Sequence, residues 1–171
     1  MTYIHHYQSP LGGITMASDG ESLIGLWFDG QKYFADGLEG EYKEQLLPVF
    51  EQTDMWLDIY FSGKAPDFTP PLIMKTSEFG KAVWEIMLSI PYGKTMTYGE
   101  IADRIAKQKG IQKMSAQAIG GAVGHNLISL IIPCHRVIGA NGKLTGYAGG
   151  IDKKVKLLEL EGVDMNNLSA S

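Results

Sequence analysis

Cys134 is the sole cysteine of the 171-residue chain, and its neighbours make it the first residue to weigh for chemistry. A lone buried cysteine is ordinarily an inert small hydrophobe. Here it stands in Pro133-Cys134-His135-Arg136, where the basic neighbours favour the thiolate, the form that acts as a nucleophile. Adjacent residues of an extended chain point apart. His135 is therefore poorly placed to take the Cys134 proton directly, and a water relay is the more natural route. A papain-like protease or an acyltransferase is correspondingly disfavoured. Glu161 is the second residue of interest. It ends a helical pattern, where a carboxylate opposes the macrodipole, so it is either a solvated surface acid or has a partner elsewhere.

Several elements must position these groups. The apolar run Leu127, Ile128, Leu130, Ile131, Ile132 reads as a buried strand that carries Cys134 to the edge of the core. Gly139, Asn141-Gly142, Gly146 and Gly149-Gly150 make a glycine-rich loop containing Tyr147. Asp152 to Glu161 reads as a helix stopped by Gly162. Upstream, Thr76 or Ser77 caps a helix through Trp84 to Leu88 that ends before Pro91. Thr97-Tyr98-Gly99-Glu100 is a capping box for the next helix, and Ser115 caps another, Ala116 to Val123. The last two resemble a helix-turn-helix. Gly120 and Gly121 each cost about 1 kcal/mol against Ala in a helix. Two readings follow: tight helix–helix packing, or close approach to a DNA backbone and groove, with Lys107, Lys109 and Lys113 on phosphates.

The first half looks structural. Asp19-Gly20 joins Ile14 to Phe28 as a β-hairpin, after a short strand at Tyr3 to Tyr7. Tyr42 to Phe61 reads as one or two helices interrupted near Pro48. His5 and His6 point to opposite faces of a strand and are expected as surface histidines, not a shared metal site. Pro66, Pro70 and Pro71 mark a joint. Charge divides there too. The net charge is −4, but residues 1–74 carry −8 and residues 75–171 carry +4. The whole-chain value argues mildly against nucleic acid, whereas the split suggests two units with different partners. A Cys-rich zinc site and an internal disulfide are excluded. No apolar stretch reaches the ~18 residues of a membrane span. No signal peptide is visible in Met1 to Tyr7.

The ordered set of motifs resembles the O6-alkylguanine-DNA alkyltransferases, also called methylated-DNA–protein-cysteine S-methyltransferases. It comprises Pro91-Tyr92-Gly93-Lys94, Thr97-Tyr98-Gly99-Glu100, Gly120-Gly121-Ala122, Asn126, Ile132-Pro133-Cys134-His135-Arg136-Val137, Gly146-Tyr147-Ala148-Gly149-Gly150, and Lys154 through Leu157-Leu158 to Glu161-Gly162. It covers nearly all of residues 76–162. The first half is similar more loosely, through Ser9-Pro10-Leu11-Gly12 and Tyr60-Phe61-Ser62-Gly63.

The resemblance implies an α+β protein. A small ribonuclease-H-like N-terminal domain (1–72), structural and without nuclease residues, precedes a winged-helix-like, helix-turn-helix alkyltransferase domain (76–165). It implies DNA repair by direct damage reversal: irreversible transfer of an alkyl group from O6 of guanine, with O4-alkylthymine a further candidate, onto Cys134. In the family's relay Glu161 holds His135, which takes the Cys134 proton through water. Tyr98 hydrogen-bonds the base, and Asn126 organises the loop before the active site. Tyr147 and Gly149 line the pocket. Gln117, Ala118, Gly121, Ala122 and Arg136 complete the substrate and DNA contacts. The partner is double-stranded DNA with the alkylated guanine flipped out; the protein is a cytoplasmic monomer without cofactor, metal or membrane contact. Some relatives hold structural zinc in the N-terminal domain; with only His5 and His6 there, none is expected here.

Three departures stand out. Gln117 replaces the family's frequent arginine finger, Leu127 replaces a proline after Asn126, and Gly124-His125 stands where an arginine often occurs. Gln117 brings no charge, so duplex binding is expected to be weaker and more salt-tolerant. Two other classes stay open on the residues alone. One is a lesion sensor or helix-turn-helix regulator with a structural Cys134; the other is a cysteine-dependent transferase acting on a small molecule.

Overall fold

The computed structural model describes residues 1–31 and 40–169. The chain forms two compact units: Met1–Lys75 with Leu127–Ile131, and Thr76–Asn126 with Ile132–Ser171.

In the first unit, β1 (Thr2–Ser9), β2 (Gly12–Ser18) and β3 (Leu23–Phe28) form an antiparallel meander, and β4 (Tyr42–Glu44) adds to β1 in parallel. The expected hairpin is β2–β3. Its loop is four residues long, with Gly20 at φ 117° and the Asp19 carboxylate accepting the amides of Glu21 and Ser22. Tyr42 to Phe61 is not helical throughout. Tyr42–Glu44 is strand, and the helix α1 runs Pro48–Phe61. Pro48 starts this helix, because at the first position its missing N–H costs nothing. The α1 residues Phe50, Trp56, Leu57 and Tyr60 are buried, and His5 of β1 stacks on Phe50.

β3 is buried along its whole length. Two returning segments cover its outer edge. Pro71 and Ile73 bond to Leu23, while Leu127 and Ser129 bond to Leu26. The run expected as a strand thus makes a single bridge at Ile128 and then turns, with Leu130 at φ 71°. Burial made this run apolar, but the ladder ends after one step. Leu127–Ile131 belong to the first unit, and Ile132 returns the chain to the second, two residues before Cys134.

In the second unit, α2 (Glu78–Leu88) is capped by Ser77, α3 (Tyr98–Lys109) by the Thr97–Glu100 capping box, and α4 (Ala116–Gly124) by Ser115. All three caps match the sequence expectation, since each rests on side chains within one turn. Helices α2, α3 and α4 pack on one another, with α3 and α4 as the helix-turn-helix pair. The short parallel strands β5 (Met96–Thr97) and β6 (Val137–Ile138) pair beside them, and α5 (Ile151–Leu160) packs against the turn that carries Cys134.

Candidate active site

Cys134, His135 and Arg136 form one 3-10 turn, closed by the Arg136 amide on the Pro133 carbonyl at 2.9 Å. All three are buried. Tight turning replaces the expected extended geometry, and this frees His135 from the strand rule that adjacent side chains point apart. Asn126 supports the approach to the turn. Its buried Nδ2 donates to the Ile132 carbonyl at 2.7 Å.

Glu161 caps the C-terminus of α5, and its side chain is fully enclosed. His135 Nε2 lies 2.5 Å from one carboxylate oxygen. The other accepts from Arg136 Nε at 2.8 Å and from the Gly93 amide at 3.0 Å. These three donors are why an acid is tolerated at a helix C-terminus. Gly93 has φ 78°, and a Cβ there would meet the Glu161 carbonyl at 3.0 Å, so the Pro91-Tyr92-Gly93 turn needs a glycine to deliver its amide. Burial pushes the Glu161 carboxyl up, but the hydrogen bonds and charges of His135 and Arg136 outweigh it and hold it at about 2. Burial pushes His135 below its ordinary value, with the positive charges of Arg136 and Lys154 adding to this against the pull of Glu161. The resting pair is a neutral imidazole on an ionised carboxylate. An ionised carboxylate only accepts, so Nε2 carries the proton and Nδ1 the basic lone pair.

Arg136 does not face substrate as expected. Its guanidinium is buried, bonded to Glu161 and to the Ile90 carbonyl (2.8 Å), and lies over the Tyr92 ring. It holds the acid in place. Instead, Lys154 is the cation that shares an electrostatic interaction with Cys134. Burial lowers its ammonium to about 8, against the pull of negative charge on Cys134. Lys154 falls on the inward stripe of α5 with Leu157, Leu158 and Glu161. A lysine at a core-facing helical spacing was the signal available in the sequence.

The residues expected to line the pocket come from one loop and one helix start. Tyr147 lies edge-on to the His135 ring (6.5 Å between centroids). Gly149 sits in the turn that the Gly150 amide closes on the Tyr147 carbonyl. Tyr98 opens α3, and its hydroxyl accepts from Thr145 Oγ1 at 3.1 Å. On α4, Gln117, Ala118 and Gly121 are exposed and Ala122 is half-buried. The Ala122 carbonyl accepts from Trp84 Nε1 at 2.9 Å. A Cβ built at Gly120, Gly121 or Gly124 would meet nothing within 4 Å. Tight internal packing therefore does not explain these glycines, and the reading in which something approaches from outside remains. Among the described residues, no cluster of three or more His, Cys, Asp or Glu could hold a metal ion.

Two family models match the chain. The DNA-binding domain of 6-O-methylguanine DNA methyltransferase matches residues 78–163, and the ribonuclease-like domain of the same family matches residues 2–73. The methylated-DNA–protein-cysteine methyltransferase of Methanosarcina mazei is 44% identical over 161 residues, covering 93% of this chain and 96% of the relative. That of Haemophilus influenzae is 39% identical over 160 residues, covering 93% and 86%. The crystal structure of Mycobacterium tuberculosis OGT in complex with DNA is similar at TM-score 0.80 and 41% identity, covering 93% of this chain and 92% of that one.

Proposed function

The chain belongs to the 6-O-methylguanine DNA methyltransferase family, and from that premise we propose how its own residues carry out the reaction. The protein repairs DNA by transferring the alkyl group of O6-alkylguanine to a cysteine. That cysteine is Cys134, the single thiol of the chain. Attack occurs at a saturated carbon, where a soft, polarisable sulfur excels. The S–C bond forms as the C–O6 bond breaks, and the electron pair leaves with the guanine. No electron carrier is needed, and the thioether product is inert, so each molecule acts once.

The observation that carries the assignment is the buried line of Arg136, Glu161 and His135, with His135 next to Cys134 in one turn. Glu161 fixes the His135 tautomer, so that Nδ1 takes the Cys134 proton through a water. His135 and Arg136 keep Glu161 ionised, and Arg136 and the Gly93 amide orient it. Tyr98 donates to the departing base and stabilises its developing charge. Tyr147 and Gly149 line the pocket, and Asn126 sets the chain before it. The target atom is hidden in the duplex, so the base is flipped out. Gln117, Ala118, Gly121 and Ala122 of α4 face the minor groove, where the glycine positions allow the sugar-phosphate surface to approach.

We assign residues 1–72 as a structural domain and 76–165 as the DNA-binding and catalytic domain, in a protein that acts as a monomer. No helix among the described residues is long and apolar enough to cross a membrane. A reduced thiol is required for activity, which favours the cytoplasm.

The test is intact-protein mass after incubation with a duplex containing O6-methylguanine. A gain of one methylene on the peptide containing Cys134 is expected, and Cys134→Ala is expected to bind the duplex without gaining mass. An unchanged mass with the lesion still in the DNA would overturn the assignment.

A further inference from the structure

Helix α5 carries a buried cation that the transfer chemistry above does not use. Lys154 is wholly enclosed, and its Nζ donates to the carbonyls of Val137 at 2.6 Å and Thr145 at 3.1 Å. Burying an ammonium is unfavourable and is offset only by good geometry, so an aliphatic side chain would hold this core more readily. Besides its electrostatic interaction with Cys134, the ammonium ties two carbonyls together, which an aliphatic cannot do. Val137 directly follows the turn that carries Cys134 and His135. Thr145 opens the loop that leads to Tyr147 and Gly149. One cation therefore sets the distance between the nucleophile's turn and the pocket loop.

Thr145 passes this constraint on. Its hydroxyl donates to the Tyr98 hydroxyl at 3.1 Å. A phenol has one proton and two acceptor sites. Once Tyr98 Oη accepts from Thr145, its own proton must point elsewhere, and a hydroxyl that accepts is a stronger donor. Tyr98 sits at the first position of α3, whose backbone is held by the capping box, and Thr145 is the side chain that engages its hydroxyl. We propose that Thr145, anchored by Lys154, is a positioning residue for the transfer: it turns the Tyr98 hydroxyl so that its proton is presented to the base. The inference rests on the reading of Tyr98 as the base-binding tyrosine.

The experiment is a double-mutant cycle on the full chain, read as single-turnover transfer from a duplex containing O6-methylguanine. Thr145 is exposed, so its substitution leaves the fold intact. Thr145→Val is expected to slow transfer about fivefold, the worth of one neutral hydrogen bond. Thr145→Ser keeps the hydroxyl and is expected to restore the rate. Tyr98→Phe is expected to be slower still, and adding Thr145→Val to it is expected to change nothing further. Duplex affinity, measured on a Cys134→Ala background, is expected to be equal with and without Thr145→Val. A slow Tyr98→Phe beside a normal Thr145→Val overturns the positioning role alone. So does a further fivefold loss in the Tyr98→Phe background, or a Thr145→Ser as slow as Thr145→Val. A wild-type rate in Tyr98→Phe overturns the reading of Tyr98 and the proposal with it.

Discussion

The chain sets an imidazole against a carboxylate in both of its units, and the pairs are not equivalent. In the sheet unit, His5 lies 2.9 Å from Asp54 and His6 lies 2.7 Å from Glu44. In the helical unit, His135 lies 2.5 Å from Glu161. The distances are similar, but the surroundings are not. The side chains of the first two pairs are 24% and 29%, and 54% and 66%, exposed; those of the third are 0% exposed. Asp54 shows the contrast best. Burial raises its carboxyl, Asp58 and Glu51 add to this, and only His5 opposes it. Glu161 is more enclosed still, yet His135 and, beyond what Asp54 has, the buried Arg136 keep it ionised. A histidine–carboxylate contact is thus not by itself a catalytic signal. It becomes one when the acid is both desolvated and tied to a permanent cation.

That contrast can be broken in four places. The largest expected effect is His135→Ala, which removes the proposed general base and is expected to slow single-turnover transfer about a thousandfold. His5→Ala, the matched change in the exposed pair, is expected to stay within about twofold because no reacting group is involved. Comparable losses from the two would erase the distinction. Next is acid stability. The Glu161 carboxyl is held at about 2 against an ordinary 4.5, so its contribution is complete above 4.5 and is lost as pH falls from 4.5 towards 2. His135 is held below 6.5, so acid also works against the fold by forcing a proton onto a buried imidazole. Chemical denaturation across this range is expected to show a loss of about 3 kcal/mol for Glu161. Glu161→Gln should flatten it, and parallel curves for the two proteins would exclude the effect.

A smaller change is expected on α4. Gln117→Arg adds one positive charge to an exposed helix face. Duplex affinity should rise severalfold at low salt, and its salt dependence should steepen by roughly one counterion; equal slopes for the two proteins would refute this. The smallest effect is expected for Glu44→Gln at the exposed pair, less than about 0.5 kcal/mol in stability.

Local chemistry was legible in the sequence wherever one turn of chain sufficed. The Ser77, Thr97–Glu100 and Ser115 caps all lie where their residue types put them. The Cys134–His135–Glu161 grouping was reached through the motif order, and the structure brings His135 and Glu161 into contact. Other features were set by partners distant in sequence. Pro48 looked like an interruption because a proline at the start of a helix and one that breaks it are the same letter. Leu127 to Ile132 looked like a strand because burial alone makes a run apolar. Arg136 was expected on the substrate, since nothing in its neighbours reveals that Ile90 and Glu161 claim its guanidinium. Lys154 stands out in the sequence only by its core-facing spacing and Thr145 only as a loop member; the convergence of the Val137 and Thr145 carbonyls on one ammonium is set by partners distant in sequence.

The edge of β3 that Leu127 and Ser129 complete has a consequence for how the protein is made. During synthesis, the sheet emerges from the ribosome long before the segment that finishes it. Helices α2, α3 and α4 are translated while Leu26 still presents an open backbone. The first unit therefore reaches its final hydrogen bonding only after most of the second has been synthesised. A chain cut between Lys75 and Thr76 would release two incomplete parts: a sheet lacking its last partner, and a helical piece carrying five residues that belong elsewhere.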